Sequence, residues 1–230
     1  MLVLFDIDGT LLRTEGAGVR AMVATFRELH GDLGFSLEGV QMAGGLDRLI
    51  WRDVCARHGL DASNAAHARF REAYGVRLQT DLTHAQTRAM PGAAALVHAA
   101  HASGAGVGLL TGNYEHTAHI KVDRAGIAPR YFPFGAFGDE GATRRDLPPL
   151  AMDRARAHYG REFTPSQTIV IGDTVLDIDC AKANGCVALG VATGATSTEV
   201  LMDSGADLAV ETLADTQSIL AWMQRVTARA

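Results

Sequence analysis

Lysine is nearly absent from this chain. Of 21 basic residues among 230, only Lys121 and Lys182 are lysines, so any chemistry that demands a lysine has two candidates. Cysteine is scarce as well. Cys55, Cys180 and Cys186 are odd in number and form no CxxC pair. That excludes a disulfide framework and a thiolate zinc site, and it suits a reducing, cytoplasmic setting. No apolar stretch approaches the roughly 20 residues needed to span a bilayer. The N-terminal run Met1-Leu2-Val3-Leu4-Phe5 is cut at Asp6, too early for the apolar region of a signal peptide. Basic runs are missing too, and the net charge is −5, so the electrostatic footprint of a nucleic-acid binder is absent. There is no internal repeat and no low-complexity segment. With 47% hydrophobic and 20% charged residues, disordered and fibrous classes are excluded. The expectation is a cytoplasmic monomer or small homo-oligomer whose partner is a small molecule, neither nucleic acid nor membrane.

What is present is an alternation of short apolar runs with amphipathic stretches. This is the pattern of an α/β fold, a Rossmann-like parallel sheet with helices on both faces. Strands are predicted at 2–6, 106–111, 168–172 and 187–192, with weaker ones near 134–137 and 207–210. A helix after Gly92 ends at Gly104, a C-terminal glycine signal. Another follows Asn113 through Lys121 to Arg124, and a third opens at Pro148-Pro149 and ends at Gly160. Residues 15–87 contain no convincing strand. Val19, Met22, Val23, Phe26 and Leu29 recur at helical spacing, as do Leu46, Leu49, Ile50 and Val54, then Phe70, Tyr74 and Leu78. These read as core stripes of a small helical bundle. The expected organisation is an α/β core of residues 1–14 and 88–230, interrupted by an α-helical domain of residues 15–87.

Ligands of open parallel sheets bind beyond the carboxyl ends of the strands. The first strand ends in Asp6-Ile7-Asp8-Gly9-Thr10, the strand at 106–111 in Thr111-Gly112-Asn113, and the strand at 168–172 in Asp173, with Asp177 one helical turn on. Carboxylates so gathered repel. Two unit charges about 4 Å apart cost on the order of 4 kcal/mol at an effective dielectric near 20. A divalent cation removes that cost, and all-oxygen ligation suits Mg²⁺. Thr111, Gly112 and Asn113 supply a hydroxyl and backbone N–H donors near a helix N-terminus, a ready anion site. Gly9 and Thr10 are further candidates for binding phosphate. Together these features are equipment for phosphoryl transfer.

DIDGT at 6–10, LLTGN at 109–113 and GDTVLD at 172–177 resemble three ordered motifs of the haloacid-dehalogenase-like hydrolases, in particular the phosphoglycolate-phosphatase-like group with an α-helical cap. The resemblance spans the whole chain and places the cap at residues 15–87. It implies a Mg²⁺-dependent phosphatase that hydrolyses a small phosphomonoester through an aspartyl-phosphate. Asp6 would be the nucleophile, Asp8 the general acid and then base, and Thr111 a phosphoryl hydrogen-bond donor. Asp6, the Asp8 carbonyl and Asp173 would hold the metal, with Asp177 ordering its surroundings. The family also places a cation, usually lysine, ahead of the last motif. Arg144 is favoured for that role over Arg145. Both are favoured over Lys121, whose place on the helix after Asn113 reads as an exposed side chain. The alternatives are a phosphomutase and, from another class, a silent or receiver-like phosphoryl-binding module. A phosphonate-cleaving relative would need a cap lysine, and residues 15–87 contain none. His98 with His101, and His116 with His119, have no third ligand in evident reach and are not read as a metal site. Asp179 reads as a surface charge. Arg20 and Arg48 read as solvated, which leaves substrate selection open.

Overall fold

The computed structural model describes residues 1–35, 37, 39–40, 42 and 44–228. Strand β1 (Leu2–Phe5) lies inside a six-stranded sheet together with β4 (Gly106–Leu110), β5 (Gly135–Ala136), β6 (Thr168–Gly172), β7 (Val187–Val191) and β8 (Leu208–Val210). The order is β5-β4-β1-β6-β7-β8, and every neighbouring pair is parallel. Leu2 aligns with both Gly106 and Thr168, and Phe5 with both Leu109 and Ile171, so the three central strands end level with one another. This common ending brings Asp6, Thr111 and Asp173 to one edge.

Alternation across the pleat divides the core into two layers. Val3 and Phe5 face a cluster built with α4 (Ala93–Ala102), α5 (Glu115–Arg124) and α9 (Thr216–Ala228). Leu2 and Leu4 face the opposite cluster, built with α6 (Leu147–Tyr159), α7 (Val175–Ala183) and α8 (Thr198–Asp203). Each of the six expected strands has its counterpart, including the two weakly signalled ones. An additional antiparallel pair, β2 (Leu12–Arg13) with β3 (Arg88–Ala89), is new. Two-residue strands carry no periodicity, so they leave no readable pattern.

Between β2 and β3 the described residues form three α-helices, α1 (Ala17–His30), α2 (Asp47–His58) and α3 (Asn64–Asp81), and a short 3₁₀ turn at His84–Gln86. They enclose a third cluster around Phe26, Trp51, Phe70 and Tyr74, to which Tyr114 and Ile120 of the α5 region also contribute. Helix α3 begins at Ser63, whose hydroxyl accepts the Ala66 N–H at 3.2 Å, an ordinary N-cap. Two residues assigned to core stripes depart from that expectation. Val19 is 40% exposed and Leu49 37%. Val19 belongs to the wall of the cleft described below, where helical periodicity cannot distinguish a core from a binding surface.

Leu4 is fully buried at the centre of the sheet, whereas Val76 on α3 is 63% exposed. Leu4→Ala is expected to cost about 2–5 kcal/mol, and Val76→Ala to stay within about 0.5 kcal/mol. Urea titration of the two variants against the parent checks this ordering.

Candidate active site

Asp6 is the residue immediately after β1, and its N–H continues the ladder by donating to the Ile171 carbonyl at 2.9 Å. Its side chain is 5% exposed. Asp173 follows β6, is equally buried, and accepts the Thr10 hydroxyl at 3.0 Å. Gly9 has φ +86°, and a Cβ there would collide with the Asp173 carboxylate. Glycine is therefore required twice over at this position, by the left-handed backbone and by the close approach. Thr10 and Gly9 thus seat the Asp173 carboxylate.

One oxygen each from Asp6, Asp173 and Asp177 lies within 4.8 Å of the others. Burial pushes Asp6 up to about 7, and the neighbouring Asp177 and Asp8 charges add to this against the opposing pull of Arg144. Burial, with the charges of Asp6 and Asp177, pushes Asp173 up to about 8. Arg144 compensates Asp6 only in part, and Asp173 has the Thr10 hydroxyl but no cation to hold it down, so the cluster as a whole is short of positive charge. The donor set is all oxygen, which fits a hard divalent cation. Asp177 differs from the other two, because both of its oxygens are already used. Oδ1 takes Arg144 at 2.5 Å, and Oδ2 takes the Thr174 hydroxyl at 2.6 Å and the Thr174 N–H at 3.0 Å. Thr174 and Asp177 form the capping box that starts α7. That leaves Asp6 and Asp173 as the carboxylates available to a metal.

Arg144 is 7% exposed. Its Nη2 donates to Asp6 Oδ1 at 2.8 Å and to Asp177, while Nη1 donates to the Gly44 carbonyl at 3.2 Å. The flanking carboxylates raise its pKa still further. A short turn over Arg144–Asp146 before α6 delivers it, closed by a capping box between Thr143 and Asp146. Arg145, the neighbouring candidate for binding phosphate, points elsewhere. It is exposed and forms a two-pronged pair with Asp179 at 2.7 and 2.6 Å. The turn is 3₁₀, where consecutive residues project about 120° apart, so only one of the two arginines can reach the cleft.

Lys121 corrects the expectation of an exposed side chain. It is 4% exposed, and its ammonium donates to Asp8 Oδ1 at 2.9 Å, Asp8 Oδ2 at 2.6 Å and Asn113 Oδ1 at 2.6 Å. Gly18 of α1 packs beside it, and even a Cβ there would lie 3.4 Å from Nζ, an ordinary contact, so the inward reach is set by Asp8 and Asn113. The signal was there in the sequence: one of only two lysines, between the apolar Ile120 and Val122. Asn113 also donates through Nδ2 to Asp8 Oδ2 and to the Thr111 hydroxyl, both at 2.8 Å. Its side chain is therefore committed to positioning Asp8 and Thr111. Gly112 is pressed so closely against Gly45 that a Cβ would collide with the Gly45 carbonyl.

That contact belongs to a seam between the Gly44-Gly45-Leu46-Asp47 loop and the Thr111-Gly112-Asn113 loop. The Asp47 N–H donates to the Gly112 carbonyl at 2.7 Å, and Asp47 Oδ2 accepts the Tyr114 N–H at 3.2 Å. Burial pushes Asp47 up to about 7, partly offset by the Lys121 charge. From the sequence, Tyr74 reads as part of an apolar core stripe, and Asp47 closes a Gly44-Gly45-Leu46-Asp47 loop where relatives often carry a glycine-x-threonine-aspartate loop, with Leu46 in place of the threonine; neither reads as a site residue. Beneath the seam lies a cavity of about 410 Å³, walled by Asp6, Asp173 and Arg144 on the sheet side and by Val19, Met22 and Tyr74 on the helical side.

The model of the haloacid dehalogenase-like hydrolases matches residues 3–182. The chain belongs to that family. Among curated relatives of these hydrolases, a phosphoglycolate phosphatase of Pseudomonas fluorescens (strain Pf0-1) is 29% identical over 209 residues, covering 84% of this chain and 70% of the relative. Protein CbbY of Rhodobacter capsulatus is 28% identical over 197 residues, 80% of this chain and 81% of that one. Among solved structures, CbbY from Rhodobacter sphaeroides in complex with phosphate aligns with a TM-score of 0.71 at 23% identity, covering 93% and 95% of the two chains. Membership of a hydrolase family removes the receiver-like alternative. No helix among the described residues is long and apolar enough to cross a membrane.

Asp6 and Asp173 hold protons in the folded chain that the unfolded chain, with ordinary carboxyls at 3.8, releases. In the absence of a cation, stability therefore falls as pH rises from about 4 to about 8. A divalent cation relieves this only when the pair is ionised. The expected result is a rise in Tm on adding millimolar MgCl₂ over EDTA at pH 8, and little or none at pH 5, by differential scanning fluorimetry. Asp173→Asn should remove the difference.

Proposed function

We propose that this hydrolase is a phosphatase of small phosphomonoesters that works through an aspartyl-phosphate on Asp6. The observation that carries the reading is the position of the Asp6 carboxylate, at the end of the central strand between a buried guanidinium and a second buried carboxylate. Asp6 attacks phosphorus, and the alcohol oxygen leaves. Asp6 and Asp173, with the Asp8 carbonyl, would hold Mg²⁺, which supplies charge neutralisation for the phosphoryl group. Arg144 keeps the nucleophile in line and adds a fixed positive charge at the phosphoryl end. Thr111 and the backbone N–H groups of its loop receive the phosphoryl oxygens. Asp8 gives a proton to the leaving oxygen and later takes one from the water that cleaves the acyl phosphate. Lys121 and Asn113 hold Asp8 in orientation for both steps.

Residues 15–87 are the cap in this reading, and residues 1–14 with 88–230 are the core. The separate apolar cluster of α1–α3 and the β2–β3 ribbon at its base support that division. A cytoplasmic setting accords with three cysteines that are buried and unpaired.

Phosphate release from a panel of small phosphomonoesters tests the proposal. Asp6→Asn should lower kcat by at least about 10³-fold with the fold intact, and EDTA should abolish turnover; unchanged release in Asp6→Asn would sink it. Arg144→Lys isolates the fork. A lysine can still pair with Asp6 and Asp177 but loses the separate bond to Gly44. Removing one hydrogen bond of a charged donor is worth about 1.5–3 kcal/mol, so kcat/KM should drop roughly 10- to 100-fold. Arg144→Ala, which strands two buried carboxylates, should cost more and also lower Tm.

A further inference from the structure

Helix α5 follows directly from the Thr111-Gly112-Asn113 loop, and it starts without a cap of its own. Tyr114 stands at its N-cap position and makes no side-chain hydrogen bond to the first turn. Neither does Leu46, at the same position of α2. The N–H groups at a helix start still need acceptors, and here they come from across the seam. At α2, the Asp47 N–H donates to the Gly112 carbonyl at 2.7 Å and the Arg48 N–H to the Gly138 carbonyl at 3.3 Å. At α5, the Tyr114 N–H donates to Asp47 Oδ2 at 3.2 Å. In a capping box that N–H would bond to a side chain of the helix's own first turn. Helix α5 has Thr117 there, whose hydroxyl donates to the Tyr114 carbonyl at 3.0 Å instead. An aspartate 67 residues earlier in the chain takes the vacant part.

Peptide planarity turns this pairing into a constraint on the anion site. Within a trans peptide the C=O and N–H point in opposite directions. Fixing the Gly112 carbonyl on the Asp47 N–H therefore aims the Asn113 N–H the other way, where it lies 3.4 Å from the Thr111 hydroxyl oxygen. The next peptide is held at both ends. Its Asn113 carbonyl accepts the Gly138 N–H at 2.8 Å, and its Tyr114 N–H goes to Asp47. Glycine at 112 leaves the backbone permissive, and a plane turned over there would present a carbonyl where an anion needs a donor. Asp47 bonds to both planes, to one through its backbone and to the other through its carboxylate. That carboxylate is buried, which is costly unless it is hydrogen-bonded. The Lys121 charge acts on it, but Lys121 directs its own hydrogen bonds to Asp8 and Asn113. The bond to Tyr114 is what fixes the direction of the Asp47 carboxylate.

We infer that Asp47 is a positioning residue for phosphoryl transfer: from the helical segment it holds the Thr111-Gly112-Asn113 loop in the orientation that receives phosphoryl oxygens. It acts as a hydrogen-bond acceptor on the Tyr114 N–H, and it does not select the leaving group. This inference rests on the phosphatase reading above and adds to it a residue outside the strand-end motifs.

The test measures kcat/KM at pH 8 for glycerol phosphate, phosphoglycolate and phenyl phosphate in Asp47→Ala and Asp47→Asn, with hydrogen exchange of the amides of residues 111–118 followed by mass spectrometry. Asp47→Ala strands the Tyr114 N–H and should lower kcat/KM about 10- to 100-fold, the range for losing a hydrogen bond to a charged group. The loss should agree within about twofold on all three esters, because the loop holds the phosphoryl group that they share. Asp47→Asn keeps an acceptor oxygen in place and should stay within about threefold of the parent. Exchange across 111–118 should speed up in Asp47→Ala and remain near the parent's in Asp47→Asn. A loss that differs between leaving groups overturns the inference and leaves the phosphatase reading standing. So does Asp47→Asn as poor as Asp47→Ala, or unchanged exchange in Asp47→Ala. Should Asp47→Ala not fold, the Asp47→Asn arm decides: turnover near the parent supports the inference, and a loss of about tenfold overturns it, since the charge and not the acceptor then matters. Phosphate release from none of the three esters by the parent removes the phosphatase reading and this inference with it.

Discussion

The buried guanidinium of Arg144 is the constraint around which this site is arranged. It neutralises two carboxylates that could not otherwise sit together out of water, and it joins three parts of the chain that are distant in sequence: the end of β1, the first turn of α7 and the Gly44 loop. Removing one partner from such a group leaves an uncompensated buried charge, the expensive outcome for any interior ion pair. A lysine in this place could balance charge but would present a single nitrogen. The planar fork divides the work, with Nη2 on the carboxylates and Nη1 on the helical segment's loop. The position of the helical segment over the sheet is thus tied to the same group that restrains Asp6.

A second ion pair, Lys121 with Asp8, repeats this logic on the opposite side of the cleft. There the lysine is buried and the aspartate side chain is 45% exposed, so the pair fixes the direction of the carboxylate without hiding it. Two carboxylates one residue apart are thereby sent to different partners. Asp6 turns to arginine and the acidic cluster, and Asp8 to lysine and an amide. The alternation of a strand end sends successive side chains apart, and the two cations determine where each of them comes to rest.

Tight glycines make the seam between the two halves possible. Gly112 meets the Gly45 carbonyl, Gly138 meets the Gly112 carbonyl, and a Cβ at either position would collide with backbone. The Asp47 N–H and carboxylate then close the seam with hydrogen bonds to the loop that carries Thr111. The seam's closeness keeps the cleft small, with Tyr74 and Asp47 on its wall.

The six-stranded sheet and its flanking helices were legible from apolar runs and caps, because strands buried on both faces must be apolar throughout. The strand-end motifs were legible for a related reason: polar residues at the end of such a run have nowhere to be except the ligand edge. Asp6, Asp173 and Thr111 were located that way, without any knowledge of their neighbours. Which basic residue entered the cleft could not be decided so. Arg144 and Arg145 are adjacent and chemically identical, and only the turn before α6 sends one inward and the other to Asp179. Lys121 looked like a surface lysine because Asp8, the carboxylate that takes its ammonium, lies more than a hundred residues away in sequence and is brought to it only by the fold. Composition and periodicity are local and record what each segment needs. The partner that satisfies a buried charge is chosen by packing between segments, and that was settled only in the tertiary structure.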